Sequence, residues 1–155
     1  MERRLLLRIL ASAVLSVSAL KAAVRGDEVM YVGGTFTDIP DRTEGHLELN
    51  SAKEATFSSK RGGFKFAYAN ITSLEYGQKA GRRLGMALVV SPLFLFSKKR
   101  KHFLTVGFTA AAGQAQGVVL EVGKKQIREV IGTLESRSGK KVEYESEEAK
   151  EHVGN

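Results

Sequence analysis

Cysteine and tryptophan are absent from this chain, and proline occurs only twice. Without cysteine there is no disulfide, no thiolate metal site and no thiol nucleophile, so the fold has to be held by packing alone. Histidine is nearly as scarce. His46, His102 and His152 stand far apart with no second histidine at ligand spacing, and they read as surface or structural residues, so no metal is expected. Reactive motifs are missing too. No serine stands in G-x-S-x-G, and the acids show no motif that pairs them for general acid–base work. Two Gly-Lys-Lys runs begin at Gly123 and Gly139, but a phosphate loop of the Walker type needs a hydroxyl residue where Lys125 and Lys141 stand. The expected class is a non-enzymatic protein that uses no cofactor.

What is present suits one globular domain. The 155 residues are 43% hydrophobic and 26% charged, enough apolar material for a single core and too short a chain for two ordinary domains. Residues 1–27 carry Arg3, Arg4 and Arg8, then an apolar run over 9–20, then small residues, which is the pattern of a secretory signal peptide. Twelve apolar residues make ~18 Å of helix against a ~30 Å hydrocarbon layer, too short to span. Export to the periplasm or envelope is expected, with an uncleaved N-terminal anchor as the alternative. Removing Arg3, Arg4, Arg8 and Lys21 together with Glu2 takes the formal charge from +7 to +4, so the mature chain is only moderately basic.

From Glu28 onward the pattern is one of short strands. Residues 29–37 contain Gly33-Gly34, the mark of a bulge or a close backbone approach. Asp38-Ile39-Pro40-Asp41 is a turn. Leu47 and Leu49 alternate in 45–50, and Lys60-Arg61-Gly62 joins 55–59 to 63–68 as a hairpin with Phe64, Phe66 and Tyr68 on one face. Residues 71–76 form a fifth strand. Leu104, Val106 and Phe108 alternate before a turn, and Val118, Leu120 and Val122 alternate after it, giving seven strands in all. A helix over 124–138 follows, with Ile127, Val130, Ile131 and Leu134 at i, i+3, i+4 and i+7. Its apolar stripe has to bury against a strand face, and Gly139 ends it. The expected fold is mainly β: a seven-stranded barrel or sandwich over 28–144, capped by one amphipathic helix and followed by a flexible acidic tail over 145–155. The predicted core is Leu47, Leu49, Phe64, Phe66, Leu74, Leu104, Val106, Leu120, Ile127, Val130, Ile131 and Leu134.

Seven short strands closed by a C-terminal helix resemble the pleckstrin-homology-type fold. The phrases GHLELN, FKFAYANITSLEY, KKRKHFLTVGF and IREVIGTLESRSGKKVEYE resemble small bacterial envelope proteins of uncharacterised function that carry it. The resemblance covers about 29–144 and implies a fold rather than a chemistry. Phosphoinositide-binding members of that fold have a basic loop after the first strand. Here the matching loop is Asp38-Ile39-Pro40-Asp41-Arg42, two acids against one base, which argues that the usual phosphoinositide site is absent.

The most unusual stretch is 82–102. Residues 84–96 are mostly apolar and lie between Arg82-Arg83 and Lys98-Lys99-Arg100-Lys101. Thirteen residues reach only ~20 Å as helix, and Pro92 interrupts them, so they cannot cross a bilayer. They suit a membrane interface, with apolar side chains in the acyl boundary and bases at anionic headgroups. The competing reading packs Leu88, Val89, Leu93 and Phe94 against the outside of the barrel. The candidate interaction surface is Arg82, Arg83, Leu93, Phe94, Leu95, Phe96, Lys98, Lys99, Arg100 and Lys101. A protein or peptide partner is expected first and an anionic membrane surface second. Nucleic acid ranks third, because the aromatics fall inside an apolar run and export removes that partner. It returns only for a cytoplasmic chain.

Overall fold

The computed structural model describes residues 27–78, 89–90 and 101–154. Their elements, in chain order, are β1 (Asp27–Gly34), β2 (Thr43–Glu48), β3 (Glu54–Ser59), β4 (Gly62–Ala67), a 3-10 turn (Tyr68–Asn70), β5 (Ile71–Gly77), β6 (Val89–Val90), β7 (His102–Thr109), β8 (Ala115–Val122), α1 (Ile127–Ser138), β9 (Val142–Tyr144) and α2 (Glu147–Gly154). Eight strands form one curled, half-barrel sheet in the order β4-β3-β2-β1-β8-β7-β5-β9. The two-residue β6 pairs with the end of β1. Every pairing is antiparallel except β5 with β9.

The mainly β class and the closing helix agree with the sequence. The expected count of seven strands does not, since β6 and β9 bring the described residues to nine. Both extra strands are two or three residues long, too short for an alternating pattern to register. The register shifts between Tyr31 and Gly33 as β1 pairs with β8, so the double glycine marks a bulge. Gly34 sits at φ 156°, and a Cβ there would run into the Gly117 carbonyl. Only glycine lets these backbones approach so closely.

The concave face of the sheet holds the core. Val29 and Tyr31 of β1, Phe57 of β3, Phe64 and Phe66 of β4, Tyr76 of β5, Leu104 and Val106 of β7, and Val118 and Leu120 of β8 all lie in one buried cluster. With no tryptophan to fill it, the volume is taken by stacked phenylalanines. Phe36 and Phe64 have ring centroids 4.8 Å apart, Phe57 and Phe64 4.9 Å, and Phe66 and Phe108 5.1 Å. The α1 residues Ile127, Val130, Ile131 and Leu134 join this cluster, as the helical spacing requires. The predicted core is buried throughout except Leu49, which packs on its margin.

α1 starts three residues later than expected. Gln126 and Ile127 both donate their amides to the Gly123 carbonyl, which makes 124–126 a turn. It ends at Gly139, left-handed at φ 70°, whose amide caps the Glu135 carbonyl. The expected flexible acidic tail is corrected by the structure. Residues 147–154 are helical, and Ala149 and Val153 of that helix are buried in the main core. Ser146 starts the helix by accepting the Ala149 amide on its hydroxyl at 3.2 Å, and Glu147 and Glu148 stand at the positive end of its dipole.

A smaller buried cluster lies on the opposite face of the sheet, where Val32, Phe103 and Val119 meet with Met30 packed against them. Thr105 and Glu75, neighbours on the same face, are buried as well.

Candidate binding groove

Alternation along β1 sends Val29 and Tyr31 to the core and leaves Glu28 and Met30 on the convex face. Cross-strand register then fixes which side chains stand beside them. Met30 lies between Glu44 of β2 and Glu121 of β8, and Glu28 lies beside His46, which is opposite Ser58 of β3. The Lys60-Arg61 turn of the β3–β4 hairpin and Arg42 ahead of β2 complete a partly open groove of about 760 Å³. Its floor is the backbone of β1, β2 and β8, and its rim carries three fixed cations and three carboxylates.

Arg42 holds a left-handed backbone at φ 63°, in the turn that Thr43 closes by donating its hydroxyl to the Pro40 carbonyl at 2.6 Å. Beneath that turn the Tyr31 hydroxyl donates to the Phe36 carbonyl at 3.2 Å. Burial pushes the Tyr31 phenol up to about 12, with nearby Asp41 acting in the same direction, so it stays protonated as a structural donor. On the other rim, Lys101 pairs with Glu121 at 2.8 Å, both side chains about one-quarter exposed. The groove is thus a lattice of opposite charges around one apolar side chain, Met30. It can hold polar and charged groups by paired contacts.

A second polar arrangement closes the neighbouring end of the half-barrel. The Tyr76 hydroxyl and His102 Nδ1 are 2.6 Å apart, with the two rings stacked at 6.0 Å, and Tyr144 meets Tyr76 edge-on. Burial lowers the His102 pKa, as do the neighbouring His152 and Lys124, while Glu121 pulls it upward. Burial also raises the Tyr76 and Tyr144 phenols. Among the described residues, no group of three His, Cys, Asp or Glu side chains is placed to hold a metal ion. No helix among them is long and apolar enough to cross a membrane.

Of the surface expected from the sequence, Lys101 is described, and it stands at the groove margin in its pair with Glu121. Arg82, Arg83, Leu93, Phe94, Leu95, Phe96, Lys98, Lys99 and Arg100 lie outside the described residues. From the same apolar stretch, Val89 pairs with Gly34 and Val90 with Gly33, on the β1 edge beyond the reach of β2. The groove residues themselves carry no sequence signal. Glu28, Arg42, Glu44, His46, Lys60, Arg61 and Glu121 come from three strands and two turns, and only the pairing of β1 with β2 and β8, and of β2 with β3, gathers them. The Lys60-Arg61 turn was legible as a turn, not as a rim. No protein-family model matches the chain, and no curated protein matches it significantly.

Proposed function

We propose that this chain is a non-enzymatic interaction module of pleckstrin-homology-like architecture, exported to the cell envelope, which holds an extended polypeptide segment of mixed charge in the groove over β1, β2 and β8. Support for the architecture comes from the sheet order, a four-strand meander joined through β1 and β8 to a second antiparallel set, with α1 packed on its open face. The observation that carries the function is the groove itself. Small-molecule sites are mostly apolar with a few convergent polar groups, whereas this one is partly open and lined by charges of both signs. From the β3–β4 turn to β8 it crosses about three inter-strand gaps of ~4.8 Å, room for ~4–5 extended residues at ~3.3 Å each. Lys60 at one end, with Glu44 and Glu121 on either side of Met30, suits a strand that places an acidic, a basic, an apolar and a basic side chain in turn. Partners with a block of one charge fit poorly.

A photo-crosslinking side chain at Glu44 or Lys60 in the full-length protein tests this in cells. Polypeptide adducts at both positions, with those at Glu44 reduced about tenfold by Lys60→Glu with Arg61→Glu at unchanged melting temperature, are expected for a modest loss of ~1.4 kcal/mol. Absence of adducts at both positions overturns the groove reading. The second reading, a peripheral contact with anionic lipid, is favoured by the run Lys98, Lys99 and Arg100 beside 84–96. Vesicles distinguish the two. Binding to anionic but not neutral vesicles, abolished by Phe94→Asp with Phe96→Asp in a folded protein, moves the function to the basic-apolar segment.

A further inference from the structure

The end of the half-barrel under α2 gathers more titratable groups than its packing needs. Tyr76 and His102 point into the main core from neighbouring strands and meet at 2.6 Å, and His102 is only 9% exposed. The C-terminal segment closes over them. β9 lies parallel to β5, with Tyr76 opposite Tyr144. The Glu145 amide donates to the Tyr76 carbonyl at 2.9 Å, and the Glu145 carboxylate accepts the Gln78 amide at 2.9 Å. α2 then returns across this end, burying Ala149 and Val153 and bringing His152 near His102.

We propose that β9 and α2 form a pH-sensitive latch: when His102 is protonated, the C-terminal segment leaves the end of the half-barrel and uncovers the edge of β5. The latch takes neutral His102 as its Nε2–H tautomer, whose Nδ1 accepts the Tyr76 hydroxyl proton. Protonation turns Nδ1 into a donor, so the tyrosine must give up that bond or reverse it, and a positive charge is placed in a buried site. Lys124 after β8 and His152 on α2 both oppose a positive ring. Glu121 of β8 favours it but is already paired with Lys101. Tyr76 and Tyr144 remain neutral well above neutral pH, because burial raises both. Glu145 is held by Gln78 at the β5 end.

The direction follows from the lowered folded value. The stabilisation is complete above the unfolded histidine value of ~6.5 and is lost as pH falls through the folded one. The latch is the part most easily lost, because β9 contributes three residues to the sheet and α2 only eight to the packing.

Amide hydrogen exchange on the full chain at about pH 7.5 and about pH 5 tests the latch. After correction for the intrinsic rate, protection over 142–154 should fall at least about tenfold at the lower pH while β8 keeps its own, and His102→Gln should remove the difference. Equal protection at both values, or an acid loss that persists in His102→Gln, overturns the proposal. Should His102→Gln fail to fold, proton titration of the wild-type histidine rings by NMR decides. Shifts of the α2 amides that follow the His102 midpoint support the latch, and α2 amides that stay fixed through that midpoint overturn it.

Discussion

Arg137 shows how one side chain joins parts of the chain far apart in sequence. Its Nη1 lies within hydrogen-bond distance of the Leu49 carbonyl, the Ser51 carbonyl at 2.7 Å and the Tyr68 hydroxyl at 2.9 Å, and its guanidinium lies 5.2 Å from the centre of the Tyr68 ring. From the sequence it suits the negative end of the helix dipole, which is only a part of its role. In the fold it ties the last turn of α1 to the β2–β3 connection and the 3-10 turn. Arg137→Ala should cost ~0.5–1.5 kcal/mol, because the carbonyls it leaves are open to water, and Arg137→Lys should recover only part, since an ammonium lacks the planar group that lies over the Tyr68 ring. Urea denaturation measures both, and an alanine cost under ~0.5 kcal/mol would make the clamp incidental. Leu134, fully buried beneath the same helix, should cost ~2–5 kcal/mol as Leu134→Ala by the same measurement.

Among the elements, α2 departs furthest from expectation, and the reason is visible in its composition. The acids of 143–151 dominate the sequence and read as a solvated tail, yet Ala149 and Val153 are four residues apart and fall on one helical face. Two small apolar residues among five glutamates are too weak a pattern to separate from chance. They become a helix because the end of the half-barrel leaves a surface for them to cover. Glu147, Glu148 and Glu151 stay exposed on the outside. Deleting 146–155 should therefore lower stability by ~1–3 kcal/mol through the lost burial of Ala149 and Val153. Thermal unfolding of the truncated chain checks it, and a melting temperature equal to that of the full chain would remove α2 from the core. A merely electrostatic tail would show the opposite behaviour, with little effect on stability and a strong effect of salt.

For the whole molecule, compartment decides which partners are available. The proposed export predicts that protein recovered from the envelope begins between Leu20 and Asp27, as intact mass would show. An N-terminus at Met1 in a soluble cytoplasmic fraction would reverse the reading and bring nucleic acid back as a partner for the +7 chain. The groove and the latch are adjacent features of one sheet. His102 lies opposite Val122, and Val122 and Gly123 line the groove, so the strand pair β7–β8 separates the polar groove from a closed, titratable end.

The sequence by itself determined the strands of the meander, the turn at Lys60-Arg61, the glycine bulge in β1, the apolar stripe of α1 and nearly all of the core. These are local properties: alternation, helical spacing and glycine conformation are written in neighbouring residues and need no partner to be read. Tertiary structure alone decided the rest. The strand order, which places β1 between β2 and β8, assembles Glu28, Glu44 and Glu121 with Arg42 and Lys60, and the meeting of Tyr76 with His102 depends on β5 lying beside β7. Side chains 26 residues apart, or a rim drawn from three strands and two turns, leave no spacing to recognise, because cross-strand neighbours are set by register and sheet order rather than by distance along the chain.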